Sequence, residues 1–115
     1  MPIRSITSPG SAPGSEKRLY LDPRTLPLLE GRRIALVDDA VSTGSSMCAG
    51  LTLLAAAGVA PVCLGCAMRQ TVAWRAAVEA ARPGLSDRTE GVFDSPLLAL
   101  DAGTGAWRPV GPAQT

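Results

Sequence analysis

In residues 32–46, RRIALVDDAVSTGSS, an apolar run ends in two adjacent carboxylates and then in small hydroxyl and glycine residues. Few folds accommodate that succession. Ile34–Val37 asks for a strand in the middle of a sheet, whereas Asp38 and Asp39 ask for water, a cation or hydroxyl donors. The carboxylates therefore belong at the C-terminal edge of the strand, where the chain leaves the core. Residues 46–57 follow with Met47, Leu51, Leu54 and Ala55 at helical spacing, a serine or threonine available as N-cap, and Gly58 where a helix C-terminal glycine belongs. Residues 59–67 supply a second strand. Strand, helix and strand in succession form a right-handed crossover, the unit of parallel sheets, so the pattern predicts an α/β fold.

Outside this unit the pattern is weaker. Residues 1–18 are rich in Ser, Pro and Gly in their first fifteen positions, which predicts a mobile loop or tail. Leu19-Tyr20-Leu21 reads as a short strand stopped by Asp22-Pro23, and Thr25–Glu30 as one helical turn. Val72–Ala81 reads as a second helix ended by Pro83-Gly84. Val92-Phe93 and Leu97–Leu100 are short apolar pieces suited to an edge strand. The predicted division is thus a loop or tail over 1–18, an α/β domain over 19–110 and a disordered tail over 111–115.

Composition narrows the function. A chain of 115 residues makes one domain with a modest core. With 11 basic and 10 acidic residues and no basic stripe, nucleic acid is a poor partner, and any bound phosphate belongs to a small molecule. Cys48, Cys63 and Cys66 are an odd number of cysteines behind a start without an apolar run, which predicts a reducing cytoplasm. The stretch Ala40–Met68 is free of charge and longer than the roughly 20 residues that span a bilayer. Gly58, Pro61 and the Ser/Thr/Gly content of its first third argue against a membrane helix; a buried helix and strand have the same composition.

The connection from Asp39 to Ser46 carries the chemistry. Small residues between a strand and a helix N-terminus aim several backbone N–H groups at one point, and the helix dipole adds partial positive charge. That makes an anion cradle, usually for phosphate. Thr43, Ser45 and Ser46 add hydroxyls, and Gly44 allows close approach of the main chain. Two carboxylates beside the cradle suit the hydroxyls of a ribose or a hydrated Mg²⁺. The ligand so implied is a sugar phosphate.

Ile34 to Ser46 resembles the phosphoribosyl pyrophosphate (PRPP) signature of type I phosphoribosyltransferases: four apolar residues, two acidic, two variable, then a Thr-Gly loop closed by a hydroxyl residue. The resemblance implies a Rossmann-like parallel sheet that transfers phosphoribosyl from PRPP, with Mg²⁺, to a nucleobase in nucleotide synthesis or purine salvage. It gives the ribose hydroxyls to Asp38 and Asp39, and the 5-phosphate to Ala40, Val41, Ser42, Thr43, Gly44, Ser45 and Ser46. Mg²⁺ would be held through the ligand near Asp38 and Asp39, without direct protein ligation. Arg4–Thr7 and Lys17–Tyr20 resemble the ends of the mobile loop that closes over substrates in adenine-type members. Ser42 stands where members acting on 6-oxopurines usually carry aspartate, which disfavours hypoxanthine and guanine.

The family's domain opens with a strand, helix and pyrophosphate loop that precede everything in this sequence. The expectation is a domain lacking its N-terminal strand and helix, impaired in turnover, and completed as a homo-oligomer or by a partner chain. A PRPP-sensing regulator without catalysis is the alternative. A phosphorelay receiver, with Phe93-Asp94 as a later strand, is more remote because Lys17, the chain's one lysine, lies on the wrong side. A Walker B strand lacks its GxxxxGK[ST] partner.

Duller roles compete for single residues. Asp38 and Asp39 suit a solvated strand end that caps a helix. Cys63 and Cys66 spell CxxC, but residues three apart on a strand face opposite ways, so core cysteines are expected. Trp74 and Trp107 read as packing residues, and Phe93, near a strand end, as a candidate base contact.

Overall fold

A computed structural model of the chain describes residues 4–8 and 17–110. The strands β1 (Arg4–Ser8) and β2 (Lys17–Leu21) pair antiparallel, Arg4 opposite Leu21. A 3₁₀ turn at Pro23–Thr25 and the short helix α1 (Leu26–Leu29) follow. The central unit is β3 (Ala35–Val41), α2 (Ser45–Ala56) and β4 (Cys63–Gln70), then α3 (Ala73–Ala81) and β5 (Thr89–Ser95). A hairpin of β6 (Leu97–Leu100) and β7 (Trp107–Val110) ends the described chain.

The predicted crossover is present: β3 and β4 pair in parallel, β4 and β5 likewise, in the order β3-β4-β5. Gly58 ends α2 as expected. At φ +76° it donates its N–H to the Ala55 carbonyl while Val59 donates to Leu54, the paired bonds of a Schellman turn. One face of the sheet is covered by α2 and α3 through Leu64, Cys66, Met47, Leu51, Trp74 and Val78, all buried.

Several boundaries differ from the expectation. Arg4–Ser8 and Lys17–Arg18, predicted as loop or tail, are strand, because backbone pairing across the hairpin does not need the apolar alternation that sequence reading looks for. Residues 1–3, 9–16 and 111–115, which hold the rest of the predicted loop and tail, lie outside the described residues. The second strand starts at Cys63 and runs to Gln70, since Pro61 has no N–H to give a ladder. Trp107, expected to pack, is 66% exposed on the β6–β7 hairpin.

The largest departure concerns β3. It lies at an edge of the sheet, with Val37 68% exposed; on β5, Val92 is 83% exposed. The apolar run suggested the middle of a sheet; among the described residues the helices cover one face of this sheet.

Glu79 ties α3 to the next turn. Its carboxylate accepts from the Gly84 N–H at 2.8 Å and the Ser86 hydroxyl at 2.6 Å. These bonds, that from Ser86 foremost, hold its pKa below the ordinary value. A depressed carboxyl contributes stability that is present above its unfolded-state pKa and lost as pH falls through the folded one. Thermal melts at neutral pH and at about pH 3 should therefore show a shallower acid loss in Glu79→Gln than in the wild type. Equal losses in the two proteins would remove Glu79 from the acid response.

Candidate functional site

The site is built where β3 and β4 end, at the C-terminal edge of the parallel sheet, where ligands of open α/β sheets bind. β3 carries the acidic pair inside the strand and continues to Val41, so Ala40 and Val41 are strand residues rather than loop. Ladder pairing of Ala40 with Met68 and Val41 with Arg69 extends the strand past the carboxylates. The loop proper is Ser42–Gly44.

Successive side chains on a strand face opposite ways, and the two carboxylates follow that rule. Asp38, half-buried, pairs across to Cys66 on the helix-covered face, while Asp39 is exposed on the open one. Each also braces the backbone ahead of it. Asp38 Oδ1 accepts from the Asp39 N–H at 2.9 Å, and Asp39 Oδ1 from the Ala40 N–H at 2.7 Å. Each carboxylate keeps its other oxygen for a ligand.

Residues 40–47 line a concavity of about 50 Å³. Whole small-molecule sites measure roughly 300–1,000 Å³, so this hollow has room for a single small group only. The first bond inside α2 runs from the Cys48 N–H to the Gly44 carbonyl at 2.9 Å, which leaves the amides of Ser46 and Met47 without helical acceptors, while the Ser45 N–H donates to Thr43 Oγ1 at 3.3 Å. Thr43 Oγ1 and Ser45 Oγ lie 3.0 Å apart, and both residues are exposed. Two larger clefts, of about 540 and 480 Å³, share Pro61, Arg82 and Pro83 at the other end of the sheet. Neither is lined by the acidic pair or the loop amides, so size does not mark the site here.

Gly44 corrects two expectations. It is itself the N-cap, at φ +88°, in place of a serine or threonine. Its missing side chain faces α3 rather than a ligand: a Cβ there would stand 3.1 Å from Ala77 Cβ and 3.3 Å from the Cα and carbonyl O of Trp74. Glycine is needed because the loop is pressed onto a helix.

The cysteines follow the strand rule. Cys66 is buried on the helix side, and Cys63 falls on the opposite face. Burial pushes the Cys66 thiol up against the opposing charge of Arg69, and the Asp38 and Asp94 carboxylates add to the rise. A raised thiol on the opposite strand face from its partner is unsuited to redox exchange. Phe93 lies half-exposed on β5 in register with Met68, which is in register with Ala40. At about 4.8 Å per strand, it stands roughly 10 Å across the sheet from β3.

Sequence reading missed two contributors. Arg69 clamps β4 to β5, its guanidinium meeting the Asp94 carboxylate at 2.6 and 3.1 Å and the Thr89 carbonyl at 3.0 Å. Thr71, at the end of β4, has a left-handed backbone that no residue type announces. Among the described residues no group of three His, Cys, Asp or Glu side chains could hold a metal by itself. No helix among them is long and apolar enough to cross a membrane.

A parallel α/β sheet with an acidic pair and a loop of small residues at its C-terminal edge places this chain among the open α/β domains that bind ligands at that edge. Residues 3–86, well over half of the chain, match the family model described as phosphoribosyl transferase domain, and the chain belongs to that family. The chemistry of the family is phosphoribosyl transfer, with PRPP and a nucleobase as its general substrates. Comparison with curated proteins returns no match.

Proposed function

We propose that the chain binds PRPP with its 5-phosphate in the hollow of residues 42–46 and its ribose hydroxyls on Asp39 and Asp38, and passes the phosphoribosyl group to a nucleobase. The reading is carried by one observation: the loop amides and hydroxyls follow directly on the strand that carries the two carboxylates, with Asp39 exposed on its open face. In the reaction a ring nitrogen of the base bonds to C1 of the ribose and gives up its proton while the bond from C1 to the pyrophosphate oxygen breaks, and the leaving group departs with the electron pair.

That chemistry needs no protein nucleophile. It needs the reactants held in line, water excluded and charge compensated. The cradle holds the 5-phosphate and Asp39 holds the ribose hydroxyls. Each carboxylate has an oxygen free of internal bonds, which fits a Mg²⁺ ion held mainly by ligand oxygens. When bound, that ion would neutralise the pyrophosphate. Phe93 offers an aromatic face to the base, and Ser42, uncharged, favours an adenine-like base over a 6-oxopurine.

Titration calorimetry with Mg²⁺ present tests the ligand. PRPP and ribose 5-phosphate should bind and ATP much more weakly; equal binding of ATP and PRPP would overturn the sugar-phosphate assignment. Tight PRPP binding without transfer to adenine, orotate, xanthine or guanine would make the chain a PRPP-sensing regulator.

A further inference from the structure

Among the described residues, Thr71 is the one non-glycine residue with a left-handed backbone, at φ +60°. A β-branched residue is an outlier there, since its Cβ crowds the following carbonyl. Such strain persists only where the surroundings over-determine it, and it gathers at ligand clamps. Three bonds hold this one. The Thr71 N–H donates to the Ser95 carbonyl at 2.9 Å, Thr71 Oγ1 accepts from the Ala73 N–H at 3.3 Å, and the Thr71 carbonyl accepts from Trp74 Nε1 at 3.1 Å.

The third bond leads to the loop. Trp74 is 1% exposed and packs in one cluster with Val41 and Met47, which flank the loop on either side. Its backbone also backs Gly44, the residue at the loop's turn. The loop therefore sits on Trp74, and the indole of Trp74 is pinned by the carbonyl that the Thr71 turn aims at it. Packing alone would need only the bulk of the indole.

We propose that Thr71 is a positioning residue for the phosphate loop, acting through Trp74: its left-handed turn orients the indole, and the indole presets the shape of residues 42–46 for an anion. The proposal rests on the reading of that loop as a phosphate site. Thr71 itself need not touch the ligand.

The test uses the full chain, with ribose 5-phosphate and inorganic phosphate as probes, titrated at a temperature where circular dichroism shows each variant folded. Thr71→Val keeps the shape of the side chain but loses the hydroxyl that stabilises the turn. Thr71→Asn changes the shape but tolerates the left-handed region. If the turn is what matters, Thr71→Val should weaken both probes about five- to tenfold, the effect of one lost hydrogen bond, and Thr71→Asn should bind like the wild type. A packing role predicts the reverse order. Trp74→Phe should weaken both probes to a similar degree, and adding Thr71→Val to it should cost nothing more, because both changes cut the same link. Trp107→Phe, on the distant exposed hairpin, should have no effect. Wild-type affinity in Thr71→Val, equal losses in Val and Asn, or additive losses in the double variant would each overturn the proposal. A wild-type chain that binds neither probe would instead overturn the phosphate reading beneath it.

Discussion

Gly44→Val should both destabilise the protein and abolish anion binding. A left-handed backbone costs a side chain about 1–2 kcal/mol, and forcing atoms into a filled contact costs about 1–3 kcal/mol more. At φ +88° with Trp74 and Ala77 at 3.1–3.3 Å, position 44 incurs both costs. The sum, about 2–5 kcal/mol, lowers the midpoint by about 10–25 °C in a domain of this size. Relief can come only by rotating the turn or by lifting the loop off α3, and either change scatters the amides that converge on the hollow. Gly44→Ala should show the same effects in milder form, folded enough for phosphate titration. A Gly44→Val protein that melts and binds phosphate like the wild type would refute the placement of this glycine against α3.

Asp39→Asn should do the opposite, sparing the fold and damaging recognition of the sugar. The amide retains an oxygen to accept the Ala40 N–H, so the strand end stays braced. What it loses is charge. Hydrogen bonds to a charged group contribute about 1.5–3 kcal/mol against about 0.5–1.5 kcal/mol for neutral pairs, so two ribose hydroxyls together imply a loss of roughly 30–150-fold in affinity for ribose 5-phosphate. Inorganic phosphate should bind as before or slightly better, since a negative charge near it has gone. Asp38→Asn should have the smaller effect, because Asp38 is half-buried beside Cys66 whereas Asp39 is exposed. Calorimetry with the two ligands on the two variants checks the division. If Asp39→Asn weakens inorganic phosphate as much as ribose 5-phosphate, carboxylate and cradle do not have separate roles.

The crossover was legible in the sequence because its signals are local. Apolar Ile34–Val37, the helical spacing of Met47, Leu51 and Leu54, and Gly58 past the helix end are each decided by neighbours within a few residues, and the structure has strand, helix and Schellman turn there. The acidic pair was legible for the same reason, as two charges ending an apolar run. The β1–β2 hairpin was hidden because its pairing is made by backbone groups, which every residue type carries. The two tryptophans looked alike in sequence. One is the seat of the loop and the other is exposed, because a side chain's burial depends on what the rest of the chain brings to it.

A parallel α/β unit and a loop of small residues beside two carboxylates can thus be read from short segments, since periodicity and residue chemistry are local properties. Packing between distant segments settled the remainder. It placed β3 at an edge of the sheet among the described residues, turned Gly44 toward α3 instead of the hollow, sent Asp38 and Asp39 to opposite faces, and held Thr71 in a left-handed turn against Trp74. Each of these depends on contacts between residues far apart in the chain, whose energies exist only once the sheet and its two helices have packed.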